Sequence, residues 1–265
     1  MSGRPIVIDT DPGQDDAIAV LLALASPELD VRAITTVAGN VPLPLTGRNA
    51  RIVCELAGRR DVPVYAGADR PLRRPLVTAE YVHGRTGLDG ADLPEPTMPL
   101  QAEHAADFLV RLLRESPPGT VTLCPLGPLT NIALALQQAP EIASRVREIV
   151  LMGGGFFEGG NATPAAEFNI FVDPQAAEVV FAGGVPLTML PLDVTHQALI
   201  KPRHLERLRA VGTPVAAAAA GWMEFFERYD VEKYGLEGGP LHDPCVIAYL
   251  LRPELFSGRR CNVRI

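Results

Sequence analysis

Cysteine is scarce in this sequence, with four residues among 265, and no two of them are spaced as a CxxC pair. The four are Cys54, Cys124, Cys245 and Cys261. Isolated cysteines of this kind predict small buried thiols in a reducing cytosol. The chain also reaches its first predicted strand almost at once, which leaves no room for a signal peptide. We therefore expect a soluble cytoplasmic protein.

Lysine is scarce as well: Lys201 and Lys233 are the only lysines, and with 24 Lys and Arg against 31 Asp and Glu the formal net charge is −7. An acidic chain without a basic, aromatic-rich stretch argues against nucleic acid or an anionic membrane as a partner. The apolar run at residues 214–226 is too short and too close to charges to span a bilayer. With 47% hydrophobic residues, the chain can still form the core of a large domain.

Nucleotide-binding signatures are missing too. The glycine run Gly153, Gly154 and Gly155 follows a predicted strand, but it is not a GxGxxG motif and no Lys-Ser/Thr pair follows it. Dinucleotides and ATP are therefore disfavoured as ligands. A glycine run by itself fits a flexible loop equally well.

Apolar periodicity alternates between strands and helices along the whole chain. The pattern predicts strands at residues 6–8, 29–37, 63–65, 121–124, 148–152 and 186–190. It predicts helices at residues 15–25, 46–56, 102–114, 174–182, 202–209, 214–228 and 242–251. Residues 67–100 predict a long loop that is either functional or disordered. Without a linker or an internal repeat, the alternation predicts one α/β domain with an open, mostly parallel sheet and helices on both faces.

Carboxylates are concentrated at the first strand-to-helix turn, where the chain carries Asp9, Asp11, Asp15 and Asp16. Carboxylates this close do not all stay ionised unless positive charge shares the site. No Lys or Arg lies between residues 5 and 32, so the sequence favours a cation, and oxygen ligands favour Ca²⁺ or Mg²⁺. The alternative is that Asp9 and Asp15 cap the turn while the other two face solvent.

Polar residues also follow later strands, whose carboxyl ends meet on one side of such a sheet. Asn40 follows the second predicted strand. Further along, Glu167 and Asn169 flank Phe168 and, in an extended segment, point to the same side, where they suit sugar hydroxyls. Asn161, taken singly, is typical of a turn.

Two histidine-containing segments remain. Asp243, at the start of the last predicted helix, fits a helix N-cap and fits a metal ligand almost equally well, with His242 facing a substrate. His83 lies in a loop, and its role is less clear. His196 and Asp173 favour ordinary structural roles, Asp173 as a helix N-cap.

Six blocks of the sequence resemble, in the same order, those of the nucleoside hydrolases, the inosine–uridine-preferring N-ribohydrolases. They are DTDPGQDDA at 9–17, TTVAGN at 35–40, PLGPLTN at 125–131, MGGG at 152–155, AEFN at 166–169 and HDPC at 242–245. The resemblance covers nearly the whole chain. It implies a Rossmann-like nucleoside hydrolase fold, bound Ca²⁺, and hydrolysis of the N-glycosidic bond of ribonucleosides to ribose and free base.

The resemblance also implies roles for individual residues. Ca²⁺ would be held by Asp11, Asp16, Asp243 and the backbone carbonyl of Leu126, and Asp11 would be the general base that takes a proton from water. The implied substrate-binding residues are Asp15, Asn40, Met152, Asn161, Glu167, Phe168 and Asn169. His242 is the first candidate, and His83 the second, for protonating the leaving base, since a histidine carries a proton near neutral pH.

The segment 83–90 resembles the pyrimidine-preferring branch of the family, which implies uridine and cytidine as substrates. We expect loops at 76–90 and 222–240 to form the base pocket, with four aromatic residues available to stack on a base: Phe225, Phe226, Tyr229 and Tyr234. Helical spacing equally fits core packing for Phe225 and Phe226. Family members continue past residues 261–265 with strands and a terminal helix, so we expect the chain, residues 1–265, to lack these, and to form a homo-oligomer (dimer or tetramer).

Two other functions stay open. A Mg²⁺-dependent phosphohydrolase also places Asp-x-Asp after a strand, but it needs a Lys and a Ser/Thr at later strand ends, which this sequence does not offer. A non-catalytic Ca²⁺-dependent nucleoside- or ribose-binding protein would have no need of Asp11 beside the other ligands. Phosphate release from nucleotides would indicate the first, and ribose binding without base release the second.

Overall fold

The computed structural model describes residues 3–235 and 237–265, with the side chains of Asp230 and Tyr234 outside the description. Its strands are β1 (Arg4–Thr10), β2 (Leu29–Thr36), β3 (Val64–Ala66), β4 (Leu100–Gln101), β5 (Val121–Pro125), β6 (Val146–Met152), β7 (Leu187–Leu190), β8 (Leu199–Ile200) and β9 (Gly239–Pro240). Its α-helices are α1 (Gln14–Ala25), α2 (Leu43–Leu56), α3 (Glu80–His83), α4 (Ala105–Glu115), α5 (Thr130–Gln138), α6 (Phe168–Val172), α7 (Pro174–Ala182), α8 (Leu192–Thr195), α9 (Pro202–Val211), α10 (Pro214–Tyr234) and α11 (Pro244–Leu251). Short 3-10 helices lie at Pro140–Arg145 and Pro253–Leu255.

Seven strands form one sheet in the order β4-β3-β2-β1-β5-β6-β7, and every neighbouring pair in it is parallel. Strands β8 and β9 form a separate antiparallel pair. The prediction of a single α/β domain with an open, mostly parallel sheet is therefore confirmed. Strand β1 lies at the centre of the sheet, between β2 and β5, so the acidic turn that follows it starts from the middle of the fold.

Helices cover both faces of the sheet, and the alternation of side chains along β1 shows why. Ile6 and Ile8 are fully buried in a cluster with α1, α2, α10 and α11. Val7, between them, points to the other face and is buried in a second cluster with α4, α5 and α7. The run of β-branched residues is thus apolar on both sides, as a strand in the middle of a parallel sheet requires.

Several element boundaries differ from the predictions. Helix α10 continues to Tyr234, so much of the segment 222–240 is helix and not the loop that we expected. Trp222 anchors this helix: it is fully buried, and its indole Nε1 donates to the Leu88 carbonyl over 3.1 Å. The segment 67–100 is mostly irregular, as predicted, but it holds α3 and β4. Among the cysteines, Cys54, Cys124 and Cys245 are buried, whereas Cys261 is exposed, against expectation.

None of the described helices is long and apolar enough to cross a membrane. This includes α10, because charged residues follow its short apolar N-terminal part from Glu224 onward.

The central strand buries a carboxylate that gives a testable dependence of stability on pH. Burial raises the pKa of Asp9 from 3.8 to about 7, although Asn131 and Thr35 donate hydrogen bonds to it. Since the folded state then binds more protons than the unfolded state between pH 3.8 and about 7, stability falls as pH rises through this window. Asp9→Asn removes the titrating group. Between pH 5 and pH 8 the free energy of unfolding of this variant should therefore fall by about 2–3 kcal/mol less than that of the parent chain.

Urea unfolding of chelator-treated protein at pH 5 and pH 8 measures this difference. Asp69→Asn, which changes an exposed aspartate, is the control and should track the parent chain at both pH values. Equal pH dependence in Asp9→Asn and the parent chain would contradict the prediction.

Candidate active site

The acidic turn and the start of α11 meet at the carboxyl end of β1. Carboxylate oxygens of Asp15, Asp16 and Asp243 lie within 4.8 Å of one another, and all three residues are buried. Asp15 and Asp16 stand in the first turn of α1, and Asp243 immediately precedes α11. Residues more than two hundred positions apart in sequence thus form one cluster, in an arrangement suited to a metal ion.

Asp16 and Asp11 are held by hydrogen bonds from the surrounding turns. Asp16 accepts from the Gly13 amide over 2.9 Å, from Asn40 Nδ2 over 3.1 Å, and from the hydroxyl of Thr10. Asp16 therefore caps the turn, and the structural alternative is wrong in placing Asp11 and Asp16 in solvent, because both are buried. Asp11 Oδ2 accepts from the backbone amide of Asn40 over 2.7 Å, while Asp11 Oδ1 is buried with no hydrogen-bond partner.

The electrostatics of the cluster call for a positive charge. Burial, and then the neighbouring carboxylates, raise the pKa values of Asp11 and Asp243 well above their usual range. Burial also raises the pKa of Asp16. In the part of the chain that the structure describes, no Lys or Arg forms an ion pair with these three residues. A divalent cation would both balance this charge and use the free Asp11 oxygen, so the donor set fits a hard, oxygen-binding metal.

Two glycines make room for Asp11. A Cβ atom on Gly39 would lie 2.1 Å from Asp11 Oδ2, and one on Gly127 would lie 2.2 Å from Asp11 Oδ1. Both glycines come from the loops after β2 and β5, the two strands that flank β1. Neither position has a backbone conformation that requires glycine, so the reason for glycine is close packing against the carboxylate.

Residues predicted to contact substrate lie around one cavity next to the cluster. Its lining includes Asp15, Asn40, His83, Leu126, Met152, Asn161, Glu167, Phe168, Asn169, His242 and Asp243. Asp11 and Asp16 are buried and do not line it, but both are bonded to Asn40, which does. The structure thus brings the predicted residues together, with the carboxylates at one side.

We predicted an extended segment around Glu167, but the structure has a helix there. Glu167 is the N-cap of α6, and its carboxylate accepts from the amides of Asn169 and Ile170, over 2.9 and 3.2 Å, and from Gly154 over 3.0 Å. Asn169 Nδ2 donates to the Leu126 carbonyl over 2.7 Å. Asn161 Oδ1 accepts from the Phe168 amide over 2.8 Å, which links the loop to the helix. These bonds hold the polar groups in place beside the cavity.

Both histidines of the cavity favour the neutral imidazole, His83 in a buried position and His242 in a partly buried one. Burial lowers the pKa of His83 to about 3, and burial with the nearby His196 and His83 lowers the pKa of His242 to about 3. This differs from our expectation of imidazoles that carry a proton near neutral pH. His83 Nδ1 lies 2.8 Å from Gln14 Oε1, and His242 Nδ1 lies 2.7 Å from Thr195 Oγ1.

The aromatic residues divide between two places. Phe226 and Tyr229 line the cavity, and Phe226 also belongs to the core, as its helical spacing predicted. Phe225 faces a separate cavity formed with α2 and residues 86–93, while Arg228 stacks on its ring. The predicted Tyr234 side chain lies outside the described part of the chain.

The sequence analysis did not single out three residues of the candidate active site: Tyr81, Gln14 and Thr195. Tyr81 lines the cavity from α3, in the segment predicted to be irregular. Gln14 and Thr195 do not line the cavity; they contact the Nδ1 atoms of His83 and His242 at hydrogen-bond distance. Gln14 stands within the acidic signature, which was the one signal that could have singled it out. Thr195 has no motif of its own.

Comparisons with known proteins identify the family of this chain. A sequence profile of the family described as inosine-uridine preferring nucleoside hydrolase matches residues 6–265. The pyrimidine-specific ribonucleoside hydrolase RihA of Photobacterium profundum is 53% identical over 263 residues, which are 99% of this chain and 84% of that protein. A solved purine-preferring ribonucleoside hydrolase from Gardnerella vaginalis superposes with a TM-score of 0.94 at 33% identity, covering 98% of this chain and 84% of that one.

A plant nucleoside hydrolase superposes with a TM-score of 0.91 at 38% identity, covering 96% of this chain and 80% of that one. The sequence match and the structural matches both extend over nearly the whole domain, including β1, the acidic turn and the start of α11. On these grounds the chain belongs to the inosine-uridine preferring nucleoside hydrolase family.

Proposed function

We propose that this protein is an N-ribosyl hydrolase that cleaves ribonucleosides to ribose and free base with the help of Ca²⁺. The observation that carries the proposal is the buried Asp11 carboxylate, with one oxygen free, beside a carboxylate cluster and a cavity lined by polar groups. A binding protein could fix a cation with Asp15, Asp16 and Asp243 alone. A further buried carboxylate beside them supports a catalytic role.

Asp11, Asp16, Asp243 and the Leu126 carbonyl would hold the ion, and Asp15 is close enough to take part. When bound, a cation would supply positive charge that balances the carboxylates and would lower the pKa of water. Asp11 then accepts the proton of the attacking water as general base. The Asn40 amide, bonded to Asp11 Oδ2, keeps that carboxylate in position.

The ribose side of the reaction depends on polar groups fixed by backbone hydrogen bonds. Asp15, Asn40, Glu167 and Asn169 would bind ribose hydroxyls, Asn161 the 5′-hydroxyl, and Met152 and Phe168 would pack beside the sugar. Cleavage leaves positive charge on the ribosyl ring, which nearby carboxylates stabilise, as in glycosidases. Because Glu167 and Asn169 are already oriented, little motion is needed to position the sugar.

On the base side, Tyr81, Phe226 and Tyr229 offer aromatic surface within the cavity. We favour pyrimidine nucleosides, uridine and cytidine, because relatives named pyrimidine-specific ribonucleoside hydrolase share about half of their residues with this chain. The structural neighbour from Gardnerella vaginalis, in contrast, is described as purine-preferring and is less similar in sequence. A homo-oligomer and a cytoplasmic location stay predictions.

A reducing-sugar assay over uridine, cytidine, inosine and adenosine, with and without EDTA, tests this function. We expect ribose release that is fastest from the pyrimidine nucleosides, is lost in EDTA, and returns with added Ca²⁺. Uridine monophosphate is the control substrate. Phosphate release from it without base release from nucleosides would indicate a phosphohydrolase, and tight ribose binding without turnover would indicate a binding protein.

A substitution of His242 tests the protonation of the leaving base. Because the pKa of His242 is lowered to about 3, its ring must gain a proton when the substrate binds before it can donate one. Its ring lies 6.2 Å from that of Phe226, on the base side of the cavity. We expect His242→Ala to slow natural nucleosides by roughly 10²-fold, as is usual for loss of a general acid, and p-nitrophenyl riboside far less, because its leaving group needs no proton. Equal losses on both substrates would exclude His242 as the proton donor.

A further inference from the structure

The side chain of Gln14 makes contacts that determine its own orientation. One end of its carboxamide lies 2.9 Å from the His83 carbonyl oxygen and 3.0 Å from the Asp89 carbonyl oxygen. An atom that lies at hydrogen-bond distance from two carbonyl oxygens must be a donor. In a carboxamide only the NH₂ group can donate, so this end of Gln14 is its nitrogen. The other end of Gln14 is therefore its oxygen, and this atom faces His83 Nδ1 at 2.8 Å.

This orientation decides where His83 carries its proton. The carboxamide oxygen can only accept, so Nδ1 of His83 must be the donor. The buried ring is neutral, because burial lowers its pKa to about 3. A neutral imidazole with hydrogen on Nδ1 has a lone pair on Nε2. Nε2 makes no hydrogen bond within the described residues and is not among their buried unpartnered atoms, so it is open to the cavity that His83 lines.

His242 offers a contrast in the same cavity. Its Nδ1 lies 2.7 Å from the hydroxyl of Thr195, which can either donate or accept. That contact is compatible with both neutral tautomers of His242. Of the two imidazoles, only His83 faces a partner whose hydrogen-bonding role is fixed.

We propose that Gln14 is a positioning residue that fixes His83 in the Nδ1–H tautomer, so that His83 presents a hydrogen-bond acceptor to the nucleobase. The nature of the ligand rests on the proposed function; the tautomer does not. The group that binds Nε2 must carry an N–H, such as the imide of uracil or the amino group of cytosine. Proton donation to the leaving base is then assigned away from His83, which was our second candidate for it.

Nitrogen NMR of the full chain, labelled with ¹⁵N-histidine, tests the tautomer directly. The His83 signals are those lost in His83→Asn. We expect a protonated Nδ1 and an unprotonated Nε2 for His83 at pH 7, with or without Ca²⁺. In Gln14→Met, which keeps the length of the side chain but removes the acceptor, this single tautomer should be lost.

A protonated Nε2 in the parent chain would overturn the proposal, and so would an unchanged tautomer in Gln14→Met. The parent spectrum decides the question even if Gln14→Met does not fold. In kinetics, Gln14→Met should raise KM for uridine by roughly 3- to 10-fold with little change in kcat, as expected when one hydrogen bond of uniform binding is lost. If no nucleoside is hydrolysed, the proposed function fails while the tautomer result stands.

Discussion

Asp11→Asn is expected to remove most of the turnover and to leave the fold and the binding of Ca²⁺ largely intact. Asparagine has the same shape, so it fits between Gly39 and Gly127, and its carbonyl oxygen still accepts from the Asn40 amide. Its NH₂ group then replaces the free oxygen, so one metal ligand is lost, while Asp15, Asp16 and Asp243 remain to hold the ion. It cannot accept a proton from water. Loss of a general base lowers kcat by roughly 10²- to 10⁴-fold. The measurement is kcat for uridine in the reducing-sugar assay, together with calorimetric titration of Ca²⁺.

The control for this experiment is Asp61→Asn, which changes an exposed aspartate far from the cluster in sequence and should retain full activity. A kcat near that of the parent chain in Asp11→Asn would show that Asp11 is not the base. Loss of Ca²⁺ binding in step with activity would show instead that its main contribution is to hold the metal.

The glycines beside Asp11 should be almost as sensitive as Asp11 itself. A methyl group on Gly39 or Gly127 would lie 2.1 or 2.2 Å from a carboxylate oxygen, too close for any real contact, so the carboxylate must move. Displacement of a catalytic group by about 1 Å costs on the order of 10²-fold in rate. We therefore expect Gly39→Ala and Gly127→Ala to lose at least roughly 10²-fold in kcat/KM, with a stability cost of about 1–3 kcal/mol from overpacking.

Gly47 is the matched control, because it lies in α2, where a Cβ atom would have its nearest contacts at an ordinary 3.7 Å. Gly47→Ala should keep full activity and gain about 0.5–1 kcal/mol, as alanine does in a helix. The parameters to compare are kcat/KM and the urea midpoint of all three variants. Full activity in Gly127→Ala would mean that the geometry of Asp11 is not critical for catalysis.

The fold was largely predictable, because strand and helix periodicities in this chain are long and alternate regularly. Boundaries were wrong where tertiary contacts outweigh local pattern. Helix α10 extends past Arg228 through a charged stretch whose local sequence gave no reason to continue. Segment 67–100 holds α3, four residues long, which pattern alone could not separate from loop.

Residues of the candidate site were predictable where several of them stand together in one motif. They were less predictable where the fold brings distant residues together or buries a side chain. The residues alone left Asp243 as either a helix N-cap or a metal ligand, and the resemblance then placed it with the acidic turn, since no local pattern connects two ends of a chain. Glu167 was expected in an extended segment but caps α6, because its carboxylate satisfies amides at the start of that helix. The neutral state of the histidines follows from burial, which the sequence around them does not reveal.

The central place of β1 has a consequence for the dynamics of the protein. Its backbone amides pair with β2 and β5 on both sides, so they can exchange with deuterium only when the whole sheet opens. Since the carboxylates that would bind a cation follow directly on this strand, a cation that binds the native state alone would add its binding energy to that global opening. Occupancy of the site would then be visible as slower exchange throughout the middle of the domain, at positions far from any ligand.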